Sequence, residues 1–581
     1  MVQPIESKAK DARRRRTGFM ARLRADTRGN VLMIVAAAIL PVLCLIGSGI
    51  DLSRAYAAQA RMQVACDAAA LAGRRAMSAG VVDTAVTEEA AKFFNFNFPQ
   101  GTFKTAAFTL NTRAKGTEGK DKTTVLVSAE TTIPTTIMQV FGFENLPLAV
   151  TCNARQDFVN TDIMLVLDVT GSMAQDLGGT TKIVALQNAV MALYKELAPV
   201  QAQLEAAKLQ LRYGIVPYSS NVNVGKVVRA INSTYIASDN WDYQSRVGRY
   251  SHTATGKTKA QCDTLGGSWT RTGGKNSTTG DCVTINDTSA GGTFTWVYQK
   301  ANHDLSTYVT GASTPVPTRD PGTTANSTWA GCIEERKTLS TITTSTDYSI
   351  PSGAYDLNID MVPTNDKDTK WKPFWPEVSY NRTAGSTTAT SGEYMATRGG
   401  SAAYVACPTE VKRLKKWTEA DLETYVKSLK TIGGTYHDIG MLWGGRMLSR
   451  TGVFSADNPE TYESMPVSRF LIFLTDDGIA PNSDSYSAYG IETLDQRVTG
   501  SSSASGQTAR HEQRFKMICN AIKRQNVSIW VISFHASLDP SAALKECATS
   551  PTQVSRSSNQ AELIAKFVEI GKNIGSLRLT Q

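Results

Sequence analysis

Histidine is scarce in this 581-residue chain: there are five, at His252, His303, His437, His511 and His535, and no HExxH motif among them. Without clustered imidazoles the sequence makes no case for a zinc hydrolase or for imidazole acid–base chemistry. Ser172 lacks the G-x-S-x-G elbow that exposes a hydrolytic nucleophile. The nine cysteines include no C-x-x-C pair and have no histidine nearby at zinc-ligand spacing, which disfavours thiolate metal binding. Charged residues make up 19% of the chain and hydrophobic ones 41%, values that suit neither wholesale disorder nor a polytopic transporter. The net charge is +9, but residues 1 to 29 hold nine bases against three acids, which leaves only +3 for the rest of the chain. A basic body built to coat nucleic acid is therefore not expected.

Long apolar runs are equally rare, with one clear exception. Val31 to Ile50 are twenty residues without a charge, enough at about 1.5 Å per residue to cross a roughly 30 Å hydrocarbon core. Pro41 is tolerated in such a helix because neighbouring groups satisfy the freed carbonyl. The bases before the run, including Arg13 to Arg16, set an orientation with residues 1–29 cytoplasmic, a transmembrane helix over 30–51 and everything beyond Asp51 outside the cytoplasm. A cleaved signal peptide is the alternative, but the run exceeds a typical signal h-region. Eight cysteines lie outside the run, an even number that fits disulfides in an oxidising compartment. Eight cysteines allow 105 connectivities, which the sequence leaves open; nearest-neighbour pairing, one of them, would join 66 with 152, 262 with 282, 332 with 407 and 519 with 547.

Beyond the anchor, Ala55, Ala58, Met62, Ala65, Ala69, Ala72 and Ala76 extend a helix to about Gly80 with a stripe of small residues. Its partner is either the chain's own next segment or a second helix, so self-association is one reading. Residues 102 to 152 alternate like strands and make a small α+β membrane-proximal unit spanning 52–155. Short apolar runs then recur at 162–167, 211–220, 468–478 and 527–534. Helical stretches are expected at 182–198, 418–430, 438–449, 508–525 and 560–572. This alternation predicts an α/β fold, a doubly wound parallel sheet, in two parts, 156–220 and 410–581. Between them, 221–409 is rich in Ser, Thr and Gly yet holds six of the nine tryptophans and four cysteines. A flexible linker has no use for these, so an inserted, disulfide-stabilised domain is expected.

The first buried strand runs into Asp168-Val169-Thr170-Gly171-Ser172. Two later segments, Gly433-Gly434-Thr435 and Thr475-Asp476-Asp477-Gly478, are placed to reach the same sheet edge, where ligands of open parallel sheets bind. Carboxylates and hydroxyls without imidazole or thiolate are hard donors suited to Mg²⁺, Mn²⁺ or Ca²⁺.

These residues resemble the von Willebrand factor A (vWA) domain, with its Rossmann-like doubly wound fold and metal-ion-dependent adhesion site (MIDAS) of the form D-x-S-x-S plus a distant Thr and Asp. The resemblance implies metal ligation by Thr170, Ser172 and Thr435 through hydroxyls, and by Asp168 and Asp476 directly or through water, with Thr170 replacing the usual serine and Asp477 able to substitute for Asp476. The divalent cation, Mg²⁺ first, would leave one coordination position for a partner's acidic side chain. A second resemblance covers RGNVLMIVAAAILPVLCLIGSGIDLSRAYAAQARMQVACDAAALAG, which looks like the TadE/TadG-like segment of bacterial tight-adherence (Tad, Flp) pilus assembly proteins. It implies a single-pass bacterial inner-membrane protein projecting into the periplasm and aiding pilus assembly or anchoring, with assembly factors or pilins as partners and no enzymatic activity. A processed pseudopilin and a surface adhesin are the alternatives. Against the pseudopilin, the fifth residue after Gly29 is Ile34 and not glutamate.

Overall fold

A computed structural model describes residues 29–76, 82–114, 124–155, 159–319, 323–380, 407–463, 465–476 and 478–576; the basic tail and Asp477 lie outside them. The chain divides into two units, Met1–Asp157 and Phe158–Gln581.

In the first unit, helix α1 (Gly29–Ala76) runs for 48 residues straight through Pro41. From residue 33 it is long and apolar enough to cross a membrane. Most of the large apolar side chains from Met33 to Ile50 are exposed, among them Leu40, Leu43 and Ile46. The small-residue stripe follows: Ala58, Met62, Ala65 and Ala69 are fully buried within this unit. They share its core with helix α2 (Thr84–Asn97) and with strands β2 (Thr124–Pro134) and β3 (Asn145–Arg155), which form an antiparallel sheet edged by β1 (Asn111–Ala114). The stripe thus packs on the chain's own next segments. Asp83 caps α2 by accepting from the Val86 amide at 3.1 Å, and Val86, Ala90 and Phe94 form its buried face. The strand expected from about residue 102 starts only at Asn111; Phe103 and Lys104 adopt positive φ values of 57° and 63° in a tight turn before it. A Cys66–Cys152 disulfide ties α1 to β3 across 86 residues.

In the second unit, strands β4 (Asn160–Asp168), β5 (Leu211–Tyr218), β6 (Met465–Thr475), β7 (Val527–Phe534) and β8 (Val554–Ser557) lie in the order β5-β4-β6-β7-β8, every neighbouring pair parallel. A short strand at Lys412–Lys415 adds antiparallel to β5. Every residue of β4 is buried, and successive side chains go to opposite faces. Ile163, Leu165 and Leu167 join one core with α3 (Lys182–Ala206) and α6 (Gln560–Ser576), whereas Met164 and Val166 join another with α4 (His437–Leu448) and α5 (Gln507–Lys523). Burial on both faces is why these strands read as continuous apolar runs. Each expected helix in this part is present with ends shifted by a few residues; α3 continues past 198 to Ala206 despite Pro199.

Between β5 and the Lys412 strand, an antiparallel four-stranded sheet is built on the 19-residue strand Asn240–Thr258 and stapled by Cys262–Cys282. Trp329, Trp371 and Trp375 are buried and belong to the same core as Met164 and α4, so this segment covers one face of the main sheet. A buried carboxylate fastens it there. Glu335 accepts from Trp371 Nε1 at 3.1 Å, Trp443 Nε1 at 2.8 Å and both terminal nitrogens of Arg446 at 2.8 and 2.9 Å. Cys332–Cys407 and Cys519–Cys547 complete the four disulfides, which match nearest-neighbour pairing throughout.

Candidate metal centre

Strand order places the site. β4 is followed in the chain by β5 on one side, while β6, β7 and β8 run outward on the other, so the carboxyl ends of β4 and β6 lie adjacent where the chain changes direction. Asp168 ends β4, Thr475 ends β6, and Asp476 follows it directly. The turn after β4 is held from the opposite side: Gly171 N donates to Gly433 O at 3.0 Å and Ile432 N to Val169 O at 2.7 Å. Gly433 has a φ of +83°, and a Cβ there would sit 2.8 Å from Ser219 Oγ, so this approach requires glycine. The contact brings the buried Thr435 to the same edge.

Asp168 and Asp476 are both 0% exposed. Asp168 accepts from the Thr170 amide at 2.9 Å, from Thr475 Oγ1 at 2.9 Å and from Tyr218 OH at 3.2 Å. The Thr170 and Ser172 hydroxyls are 2.9 Å apart, and Ser172 Oγ donates to Asp476 Oδ1 at 2.9 Å. Lys182 Nζ, at the first position of α3, lies 2.8 Å from Asp476 Oδ2. His437 Nε2 is 2.8 Å from Thr475 Oγ1. His437 is thus the first residue of α4 and also a support behind the site.

Burial first, and the neighbouring Asp476 charge second, push Asp168 up to about 7 against the opposing hydrogen bonds from Thr170 and Thr475. Burial and the Asp168 charge likewise drive Tyr218 upward, keeping it a neutral donor. Two buried acids facing hydroxyls, with Lys182 the one cation bonded to them among the described residues, form a hard and electron-rich donor set that fits a divalent ion such as Mg²⁺. No cluster of three or more His, Cys, Asp and Glu is found among the described residues, so hydroxyls would have to complete any coordination.

Asp168, Thr170, Ser172 and Asp476 are joined in one network, and Thr435 reaches it through the backbone of its loop. Lys182 and Tyr218 were not singled out from sequence, and Thr475 was read only as part of the T-D-D-G segment. Lys182 reads there as an ordinary helix-start lysine, and Tyr218 becomes relevant only when β5 pairs with β4 and sets Asp168 opposite it.

Residues 29–84 match the family model described as "Putative Flp pilus-assembly TadE/G-like". No curated protein matches the chain. Among solved structures, the pilus adhesin SpaC from Lactobacillus rhamnosus GG is similar at 11% identity, over 81% of this chain and 35% of its own, with a TM-score of 0.29. The PilB minor pilin from Streptococcus sanguinis is similar at 10% identity, over 81% of this chain and 78% of its own, with a TM-score of 0.27. A von Willebrand factor type A protein from Catenulispora acidiphila follows at 10% identity, 80% and 48% coverage and a TM-score of 0.23. The chain spans about a third of the SpaC structure. The family-model match covers residues 29–84, the segment that holds α1.

Proposed function

We propose that this protein is a membrane-anchored, non-enzymatic binder that serves Tad/Flp pilus assembly or anchoring. In this reading it is TadG-like, and its second unit is a doubly wound vWA domain that grips partners through a MIDAS. The observation that carries the reading is the meeting of Asp168 and Asp476 from adjacent parallel strands on the hydroxyl pair of Thr170 and Ser172. Asp168, Thr170, Ser172, Thr435 and Asp476 would hold a divalent cation, which when bound supplies a Lewis-acidic position for a partner's carboxylate. Lys182 neutralises part of the charge beforehand and orients Asp476. The segment match supports a pilus-related role, and the disulfides support an oxidising compartment such as the periplasm. The span would be a single pass through the bacterial inner membrane with the N-terminus cytoplasmic.

The test is capture of pilus components from membranes by the full chain in Mg²⁺ or in chelator. Capture should require the ion and vanish in Asp168→Ala while the far-UV spectrum is unchanged. Capture that persists in chelator, or in the variant, would remove the metal from the mechanism.

A further inference from the structure

In the first unit, β2 and β3 are joined by a ten-residue hairpin tip, since Pro134 pairs with Asn145. Its first nine residues, Thr135 to Phe143 (TTIMQVFGF), carry no charge. Val140 is 78% exposed and Phe143 59%. The tip is pinned to the apolar part of α1: Asp51 accepts from the amides of Thr136, Ile137 and Met138 at 2.8, 2.9 and 2.9 Å. Gly47 is buried within the apolar run, and a Cβ there would lie 2.3 Å from Ile137 Cγ2. Gly47 precedes Ile50 by three residues, so the tip touches the helix about 5 Å inside the end of the apolar run.

We infer that this hairpin tip, with Met138, Val140, Phe141 and Phe143, lies in the lipid boundary beside the membrane span as a second contact with the bilayer. The occupant follows from continuity: the helix surface at the tip's level carries the exposed Leu43, Ile46 and Ile50, and whatever solvates them reaches Val140 and Phe143. The backbone is prepared for such a medium, where an unsatisfied amide is costly. Besides the three amides on Asp51, Thr135 N donates to Glu144 O, Val140 N to Ile137 O, Gly142 N to Gln139 O and Phe143 N to Met138 O, at 3.0 to 3.1 Å. Gly142, at φ +90°, permits the tight return. An apolar element of this kind settles about 5–10 Å into the headgroup boundary. Two contacts would fix the tilt and rotation of the span, which a single helix does not fix by itself.

The inference rests on the anchor reading, and its test separates the two. The full chain, with Cys44→Ala to remove the free thiol, is given single cysteines at Val140, Phe143, Leu40 or Phe96, nitroxide-labelled and reconstituted into phosphatidylcholine–phosphatidylglycerol vesicles. Leu40 reports the span; Phe96, 83% exposed on α2, reports the aqueous side. Collision with oxygen relative to a water-soluble nickel chelate should be about threefold or more higher at 140 and 143 than at 96, approaching the value at 40. Water-like ratios at 140 and 143 with a lipid-like ratio at 40 would overturn the inference and spare the anchor. Water-like ratios at all four would overturn both. Labels at 140 and 143 shielded from oxygen and nickel alike would mean that another protein chain covers the tip, and the inference would fall.

Discussion

Asp168 and Lys182 set opposing charges within a few ångströms of Asp476, and their effects are separable. Removing Lys182 leaves two buried carboxylates with less compensation, and breaking a buried pair by deleting one partner costs about 3–5 kcal/mol. Lys182→Met should therefore lower the urea midpoint strongly in chelator, with the deficit shrinking when Mg²⁺ is added; an unchanged midpoint in chelator would show that the ion pair is not a major support. Asp168 gives a pH dependence of definite sign. Its folded pKa is raised to about 7 from an ordinary 3.8, so the folded state holds a proton that the unfolded state has released. Metal-free protein should lose stability as pH rises from about 4 to 7, and the loss should be complete above that range. Mg²⁺ at about 100 times its Kd should restore about 2.7 kcal/mol near pH 7.5, read as a rise in Tm. At this scale the D-V-T-G-S and T-D-D-G motifs were legible because each is contiguous in sequence. Tyr218 and Lys182 were not, because what matters is the separate element that presents them.

At the scale of elements, α4 is buried on every side and lies close to the sheet because it is rich in glycine. A Cβ at Gly440 would come within 2.5 Å of the Tyr218 ring, which stacks on Phe473 at 5.4 Å and donates to Asp168. Gly440→Ala gains about 1 kcal/mol of helix propensity. Overpacking a tight core costs about 1–3 kcal/mol, so the net change should be destabilising. Equilibrium unfolding should show that loss, together with weaker Mg²⁺ binding as Tyr218 is displaced; a more stable variant would refute the packing argument. The apolar periodicity of the helices and the unbroken strands made most of the main sheet readable in advance. Helix α2 was not, since three buried positions in fourteen residues give too weak a periodic signal. The start of β1 was also missed, because the strand begins where Asn111 pairs with Ser128, and pairing of that kind is a tertiary contact.

Across the second unit, the long segment between β5 and the Lys412 strand is tied to the main sheet by charge as well as by packing. Burial pushes Glu335 up, but the adjacent Arg446 outweighs it and holds the carboxyl below its ordinary 4.5. A lowered acid stabilises the fold above its unfolded pKa, and that contribution is lost as pH falls through the folded value. Glu335→Gln should thus cost about 3–5 kcal/mol at pH 7 by stranding Arg446. The difference from the parent should narrow below about pH 4 in acid titrations followed by near-UV circular dichroism. Replacing Cys332 and Cys407 by serine, which opens a 75-residue loop, should cost about 2–5 kcal/mol in the same unit.

The sequence alone determined the apolar span, the alternation of strands and helices, the motif acids and hydroxyls, and an even cysteine count consistent with four bridges. Each is carried by neighbours in the chain or by composition, and local sterics and hydrophobic period act at that range. The tertiary structure alone decided that Lys182 meets Asp476, that Tyr218 and His437 back Asp168 through hydroxyls, that the small-residue stripe closes on its own chain, and that the hairpin tip rests against Gly47. The hydrogen bonds among these contacts join residues from 38 to about 300 positions apart. At such separations only strand order and side-chain volume determine which groups meet.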